Sequence, residues 1–246
     1  MPQRAGLPAP ESVVSEIPFT PATRAVRTTR GTRAGAAYRI LRTTETDPYD
    51  QVTRAERRPA GDTFEGKSRK AAKLSIPPGR TRRYSDLANL VRSLAPDEAM
   101  VDHDPAITTD PASDRVEEEK RNVRVRTFLY AASREDDNDF HLILGLDPEE
   151  GEPMFMTMEL SGLPPEDSPS FPKLKAARDA YKEFFGDDLP GTRYDFYDPP
   201  IPVEVTGSLF FDMSHARGSH PGPASLRDNI PTIWEVHPIT KIVFEP

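Results

Sequence analysis

The chain has 246 residues, of which 36% are apolar, with 27 prolines and no cysteine. The absence of cysteine excludes disulfide bonds, thiol catalysis and cysteine-ligated zinc. Average globular proteins are about 45–50% apolar, so the composition indicates that part of this chain cannot form a core.

Charge divides the chain into two unlike parts, although the net charge is only −8. Residues 1–95 hold 18 Lys and Arg against 9 Asp and Glu, whereas residues 96–246 hold 14 against 31. Neither a signal peptide nor an apolar run of membrane-spanning length is evident. We therefore expect a cytoplasmic protein with no membrane span and with two regions of opposite charge.

Residues 1–119 form the first predicted region, which is basic, rich in Pro, Arg and Thr, and expected to be mostly flexible. "YSDLANLVRSL" predicts a short helix near residues 85–94, with Ser85 as its N-cap. The basic runs "RTTRGTR", "RAERR", "KSRKAAK" and "GRTRR" have the charge that contact with nucleic acid requires. The same runs are also typical of a solvated tail, or of a tail that docks on the acidic part of its own chain.

The segment "GDTFEGKS", Gly61–Ser68, matches the phosphate-binding pattern G-x-x-x-x-G-K-[ST]. Such a loop needs a buried strand before it and a helix after it. Here a charged, proline-containing stretch precedes it, and Pro77 and Pro78 end any following helix after about two turns. We interpret the match as coincidental and predict no nucleotide site.

Residues 120–246 have clearer order, with three strands, a helix and two more strands. "NVRVRTFLYAASRE", "FHLILGLD" and "MFMTMEL" predict the first three strands. "SPSFPKLKAARDAYKEFFG" predicts a helix with Ser170 as its cap and Gly186 at its end. The last two strands are predicted by "IPVEVTGSLFFDM", in which Gly207 is placed for a bulge, and by "TIWEVHPITKIVFEP".

This order, β-β-β-α-β-β, predicts an OB-like five-stranded barrel in a mainly β chain with one or two helices. The alternative is an α+β sandwich.

The phrases "REDDNDFHLIL", "VEVTGSLFFDMSH" and "WEVHPITKI" resemble a set of uncharacterised bacterial proteins. Those proteins share an acidic turn before an H-L strand, a V-x-G-x-L-x-x-D strand and a W-E-x-H-P-[IV]-T ending. The resemblance covers roughly residues 123–246. It implies an OB-like β-domain and carries no activity to transfer.

Four residues in or beside the predicted strands make up a candidate metal site: His141, Asp212, His215 and His237. Imidazole and carboxylate groups that converge from strand ends bind a divalent metal and activate water. This interpretation requires imidazole nitrogens within about 5 Å of one another in an open cleft. The alternative is that the histidines are hydrogen-bonded structural groups. Asp139 lies beside His141, and Glu235 shares a strand face with His237.

Two loops would flank the ligand groove of an OB-like domain. The first, "REDDND", lacks the glycine and ligand spacing of a calcium loop, so we expect a solvated acidic turn. The second offers Arg217, His220 and Arg227, and Tyr130 could stack on a ligand from the groove.

The sequence therefore favours a non-enzymatic OB-like binding module without a cofactor. Its expected partner is a protein, a peptide or its own basic tail. The first alternative is a metal-dependent hydrolase that uses the four candidate metal ligands. The second is a nucleic-acid adaptor that binds through the basic N-terminal region.

Overall fold

The computed structural model of the chain describes residues 6–21, 38–48, 61–216, 218 and 220–245. Eight strands lie in these residues: β1 Val13–Phe19, β2 Tyr38–Thr43, β3 Arg82–Tyr84, β4 Asn122–Arg134, β5 Phe140–Gly145, β6 Phe155–Leu160, β7 Asp195–Phe211 and β8 Trp234–Phe244. Five α-helices accompany them: α1 Lys70–Lys73, α2 Leu87–Val91, α3 Asp97–Val101, α4 Phe171–Phe185 and α5 Ala224–Arg227. The protein is mainly β, and only α4 among these helices exceeds five residues.

All eight strands belong to one mixed sheet in the order β1-β2-β7-β8-β6-β5-β4-β3. A further pairing joins β7 to β4, so β4, β5, β6, β8 and β7 form a ring of neighbours. The pairs β3–β4 and β6–β8 are parallel, and the other pairs are antiparallel.

Both faces of the central strands are buried, which explains why β5 and β6 have no exposed residue. One face carries the main apolar cluster, to which Leu142, Met158 and Val236 contribute. Helix α4 packs on this face because its apolar residues recur at helical spacing, and Phe184 stacks on Phe244 of β8 at a ring-centroid distance of 3.7 Å. We refer to the other side of β5, β6 and β8 as the opposite face.

Gly207 lies at a β-bulge in β7, as its position in the sequence predicts. A Cβ atom at this residue would lie 2.5 Å from the carbonyl oxygen of Pro238 and from a methyl group of Val236. The close approach of β7 to β8 therefore requires glycine here.

Helix α4 and the order of strands and helix over β4–β8 agree with the sequence prediction. The described residues hold the five predicted strands as β4–β8 and add β1, β2 and β3 from the basic region. They also contain five helices rather than one or two. The N-cap of α2 is Asp86 rather than Ser85, because the Asp86 carboxylate accepts a hydrogen bond from the backbone N–H of Asn89.

The division at residue 119 does not separate two structural parts in the residues described. Strand β1 pairs with β2 and β2 pairs with β7, while β3 pairs with β4. The described residues of the basic region are therefore part of the same sheet as the acidic region. The reason is that this region has buried apolar side chains of its own, such as Phe19, Tyr38 and Ile40. No helix in the described residues is both long and apolar enough to cross a membrane.

Candidate metal centre

A cluster of ionisable side chains lies on the opposite face of β5, β6 and β8. Strands β5 and β6 contribute His141 and Glu159, which are directly opposite each other in the antiparallel register. Strand β8 contributes Glu235 and His237, while its alternate residues Trp234 and Val236 join the main apolar cluster. This alternation follows from the two-residue period of a strand. All four ionisable residues are at most 2% exposed.

Residues 61–75, which we call the strap, cover this cluster. The guanidinium of Arg69, fully buried, donates to both carboxylate oxygens of Glu119, at 2.7 and 2.8 Å, and to the carbonyl oxygen of Phe211. Arg115 donates to the carbonyl oxygens of Ala72 and His237, both at 2.7 Å. Charge-assisted hydrogen bonds of this kind are among the stronger polar contacts, so they hold the strap on β7 and β8.

Lys73 of the strap extends into the cluster. Its Nζ atom lies 3.4 Å from Asp137, 3.8 Å from Glu159 and 3.9 Å from Asp139. Burial by itself would lower the pKa of Lys73, but the surrounding carboxylates raise the pKa well above its ordinary value. Lys73 is therefore charged, and it compensates part of the negative charge around it.

Asp139, Glu159 and His237 form the innermost part of the cluster. His237 Nδ1 lies 2.8 Å from Glu159 Oε2, and His237 Nε2 lies 3.4 Å from Asp139 Oδ2. Despite these short distances, none of the four atoms makes a hydrogen bond of good geometry with any described residue. Buried polar atoms without hydrogen bonds are costly and uncommon in native proteins. These four atoms are therefore placed to bind a further partner.

His141 belongs to a second group that shares Glu159. Its Nδ1 atom lies 2.9 Å from a carboxylate oxygen of Glu135 and 2.8 Å from the hydroxyl of Tyr194. One potential ligand atom from each of Glu135, His141 and Glu159 lies within 4.8 Å of the others. The same criterion is met by Asp139, Glu159 and His237.

A third group, Asp212, His215 and Glu235, lies closer to the surface and meets the same 4.8 Å criterion. His215 Nδ1 is 3.4 Å from Asp212 Oδ2, and the imidazole lines a groove beside α3 together with His220. Both carboxylate oxygens of Glu235 are buried and lack a hydrogen-bond partner among the described residues.

The protonation states suit metal binding at two of the inner residues. Burial lowers the pKa of His237, although the adjacent Glu159 opposes this. Burial opposes ionisation of Glu159, but His237 and Lys73 outweigh it and hold the pKa of Glu159 well below its ordinary value. A neutral imidazole and an ionised carboxylate are the forms that coordinate metals. Burial, together with neighbouring carboxylates, raises the pKa of both Asp139 and Glu235 well above the ordinary range, and Lys73 opposes this only in part.

The structure distributes the four predicted metal ligands over three groups instead of one. Asp212 and His215 come together, whereas His141 and His237 lie in different groups that share Glu159. The rings of His141 and His237 are fully buried, so the predicted open cleft is wrong for these two residues. The reason is that the strap covers a strand face that we predicted to be open to solvent.

Three of the four predicted ligand-binding residues lie in the described part of the chain, and their surroundings differ. Tyr130 is 3% exposed and packs against Phe155 at a ring-centroid distance of 4.9 Å, while its hydroxyl donates to the carbonyl oxygen of Leu146. Stacking of Tyr130 on a ligand is therefore a wrong prediction. The guanidinium of Arg227 donates to the carbonyl oxygen of Gly222. His220 lines the groove beside α3, and Arg217 lies outside the described residues.

Two sequence features have other roles in the structure. The segment 61–68 is part of the strap, where the N–H groups of Phe64 and Glu65 donate to the carbonyl oxygens of Leu163 and Asp137. Asp62 binds Arg178 and Lys182 of α4.

The acidic turn 135–139 is not simply a solvated turn. Asp139 is fully buried, and one of its carboxylate oxygens accepts a hydrogen bond from the N–H of Gly162.

Sequence reasoning missed Lys73, Glu135 and Glu159. A signal for Glu159 was present, because it is a charged residue within "MFMTMEL", an otherwise uncharged strand. Lys73 carries no comparable signal, since its basic run is typical of an exposed tail.

Comparison of the chain with protein-family models, with curated proteins and with solved structures gives no match. The geometry of the buried cluster is therefore the basis for assigning a function.

Proposed function

We propose that the chain is an OB-like binding module whose ligand is a divalent transition-metal ion held in the buried cluster. The ring of pairings β4-β5-β6-β8-β7 supports the OB-like part of the proposal, as does the position of α4 between the third and fourth strands of that ring. An OB-fold is a five-stranded Greek-key barrel. In this proposal the main apolar cluster fills the barrel, and the metal lies outside it, under the strap.

One observation carries the metal-binding proposal. Asp139 Oδ2, Glu159 Oε2 and both ring nitrogens of His237 are buried and have no hydrogen-bond partner in the described part of the chain. With metal–ligand bonds of about 2.1 Å, neighbouring ligand atoms lie about 3.0–3.4 Å apart. The contact of 2.8 Å between His237 Nδ1 and Glu159 Oε2 is close to these values. A metal ion bound there would satisfy one ring nitrogen of His237 and the Glu159 oxygen, and Asp139 lies within reach of the same group.

The donor set indicates the class of metal. It combines imidazole nitrogen with carboxylate oxygen and has no thiolate, because the chain lacks cysteine. Mg²⁺ and Ca²⁺ prefer sites made of oxygen alone, whereas Mn²⁺, Fe²⁺ and Zn²⁺ accept this mixed set. The inner residues are buried on all sides, and closed sites are typical of structural metals rather than catalytic ones. This favours a binding module over a hydrolase.

Metal analysis of the purified full chain tests the proposal. We expect at least one equivalent of Mn, Fe or Zn per chain by inductively coupled plasma mass spectrometry. Chelation should lower the melting temperature, because an ion at a hundredfold its Kd stabilises the folded state by about 2.7 kcal/mol. Glu159→Gln should lower the metal content at least tenfold.

The matched control is Glu166→Gln, which makes the same chemical change at an exposed position. It should retain the metal content of the unchanged chain. A folded chain that binds none of the three metals in a titration would refute the proposal.

A hydrolase is the second candidate, supported by the third group alone. His215 lines an open groove, so an ion held with Asp212 and Glu235 would face solvent there. Metal-dependent hydrolysis of an ester or phosphoester that is abolished by His215→Gln, but not by His103→Gln, would favour this candidate over the binding module.

A further inference from the structure

We infer that the cluster holds two metal ions and that the carboxylate of Glu159 bridges them. This inference rests on the proposed function, because it specifies how many ions the buried site binds and how they are linked. It assigns a role to Glu135 and His141, which a single ion at His237 leaves unused.

The arrangement of ligands around Glu159 is the first argument. Glu159 belongs to two groups, and each group adds one carboxylate and one imidazole to it. One side has Glu135 and His141, and the other side has Asp139 and His237. A carboxylate has two oxygens and can bind one ion with each, at the separation of about 3.5–4 Å that is typical of two-metal sites.

Distances between ligand atoms support an ion on each side. His141 Nδ1 lies 2.9 Å from Glu135, and His237 Nδ1 lies 2.8 Å from Glu159. The His237 contact joins a nitrogen and an oxygen at about the spacing expected for two ligands of one ion. His141 Nδ1 also pairs with the Tyr194 hydroxyl, and His141 Nε2 has no hydrogen-bond partner among the described residues. The two contacts involve different histidines from different strands, so one ion does not explain both.

Charge compensation is the second argument. Six carboxylates surround Lys73 or belong to the three groups: Glu135, Asp137, Asp139, Glu159, Asp212 and Glu235. Lys73 alone supplies one positive charge to these groups, so divalent ions lower the cost of burying the carboxylates among them that are ionised.

Lys73 does not replace the second ion. Lys73 Nζ is 3.8 and 3.9 Å from Glu159 and Asp139, beyond hydrogen-bonding distance. The Lys73 ammonium therefore makes no hydrogen bond to these carboxylate oxygens, which remain able to bind a metal.

A stoichiometric titration of the metal-free full chain with Mn²⁺ tests the inference. Bound metal is measured by mass spectrometry after gel filtration, and electron paramagnetic resonance reports coupling between ions. We expect Glu159→Gln to bind two fewer Mn²⁺ than the unchanged chain. His141→Gln and His237→Gln should each bind one fewer. His103→Gln should lose none, because His103 contacts Glu118 and belongs to none of the three groups.

The spectrum of the unchanged chain provides a readout that does not depend on any variant folding. Two Mn²⁺ ions bridged by a carboxylate give an exchange-coupled spectrum, whereas isolated ions give six lines. A six-line spectrum at full occupancy would overturn the bridge. Loss of one ion in Glu159→Gln and none in His141→Gln would overturn the pair and leave the proposed function intact. Absence of bound Mn²⁺, Fe²⁺ and Zn²⁺ in the unchanged chain would refute both.

Discussion

Asp195 is a buried carboxylate at the start of β7, remote in sequence from the metal cluster. Its side chain is 3% exposed, and its Oδ2 atom has no hydrogen-bond partner in the part of the chain that is described. Burial raises the pKa of Asp195 to about 7, and Arg42 opposes this only in part. The folded state therefore binds the Asp195 proton more tightly than the unfolded state does.

The raised pKa predicts a pH-dependent effect of Asp195→Asn. The stability contributed by protonated Asp195 is complete below the ordinary pKa of 3.8, and it is lost as the pH rises to about 7. Asparagine has the same shape and does not ionise. We therefore expect Asp195→Asn to stabilise the protein by about 4 kcal/mol at pH 8, with a gain that disappears near pH 4. Urea unfolding at several pH values measures this.

The control for this experiment is Asp167→Asn at an exposed position. It should give the same free energy of unfolding as the unchanged chain at each pH. Equal stability of Asp195→Asn and the unchanged chain at pH 8 would show that Asp195 is not a source of pH dependence.

At the scale of elements, the contact between β7 and β8 positions the cluster. The register shifts on both sides of Gly207, so β8 passes close to the glycine just after His237. This bulge determines how Glu235 and His237 face the strap, because a one-residue change in register reverses which side chains point to a given face.

We expect Gly207→Ala to destabilise the protein by about 1–3 kcal/mol, as in other overpacked sites. The added methyl group would lie 2.5 Å from Pro238 and Val236. Gly191→Ala is the matched control, because its methyl group would have no atom within 4 Å. Chemical denaturation of both variants gives the comparison. A Gly207→Ala protein as stable as Gly191→Ala would contradict the steric argument.

At the scale of the molecule, the basic strap and the acidic strand face are complementary. Arg69 and Lys73 come from the basic part of the chain and contact carboxylates of the acidic part. These two cations are therefore not available for nucleic acid, although other basic runs lie outside the described residues. The opposite charges of the two regions thus stabilise contacts within one sheet.

A chain that begins at Val116 should not fold as an independent domain. It would lack β1, β2, β3 and the strap, and the carboxylates of the cluster would lose Lys73 and their cover. We expect aggregation or loss of cooperative thermal unfolding, measured by circular dichroism and size-exclusion chromatography. A chain that begins at Gly61 retains the strap and β3, so it should unfold cooperatively at a lower temperature than the full chain. Cooperative, monomeric behaviour of the shorter chain would show that the strap is dispensable.

The sequence by itself determined the local features of this protein. Alternation in "TIWEVHPITK" placed Glu235 and His237 on one face of β8 and Trp234 and Val236 on the other. Helical spacing and Gly186 defined α4, and the glycine in "EVTGSL" marked the bulge. These features depend on residues a few positions apart, so they can be predicted from the period of a strand or helix.

Only the tertiary structure decided how the ionisable residues combine. Lys73, Glu159 and His237 come from three distant segments, and they meet because Arg69 and Arg115 fix the strap on β7 and β8. Strands β1 and β2 likewise join the sheet through β7. The basic composition of that part of the chain did not indicate this pairing. Pairing of distant segments depends on shape and charge across the folded chain, so no local period in the sequence records it.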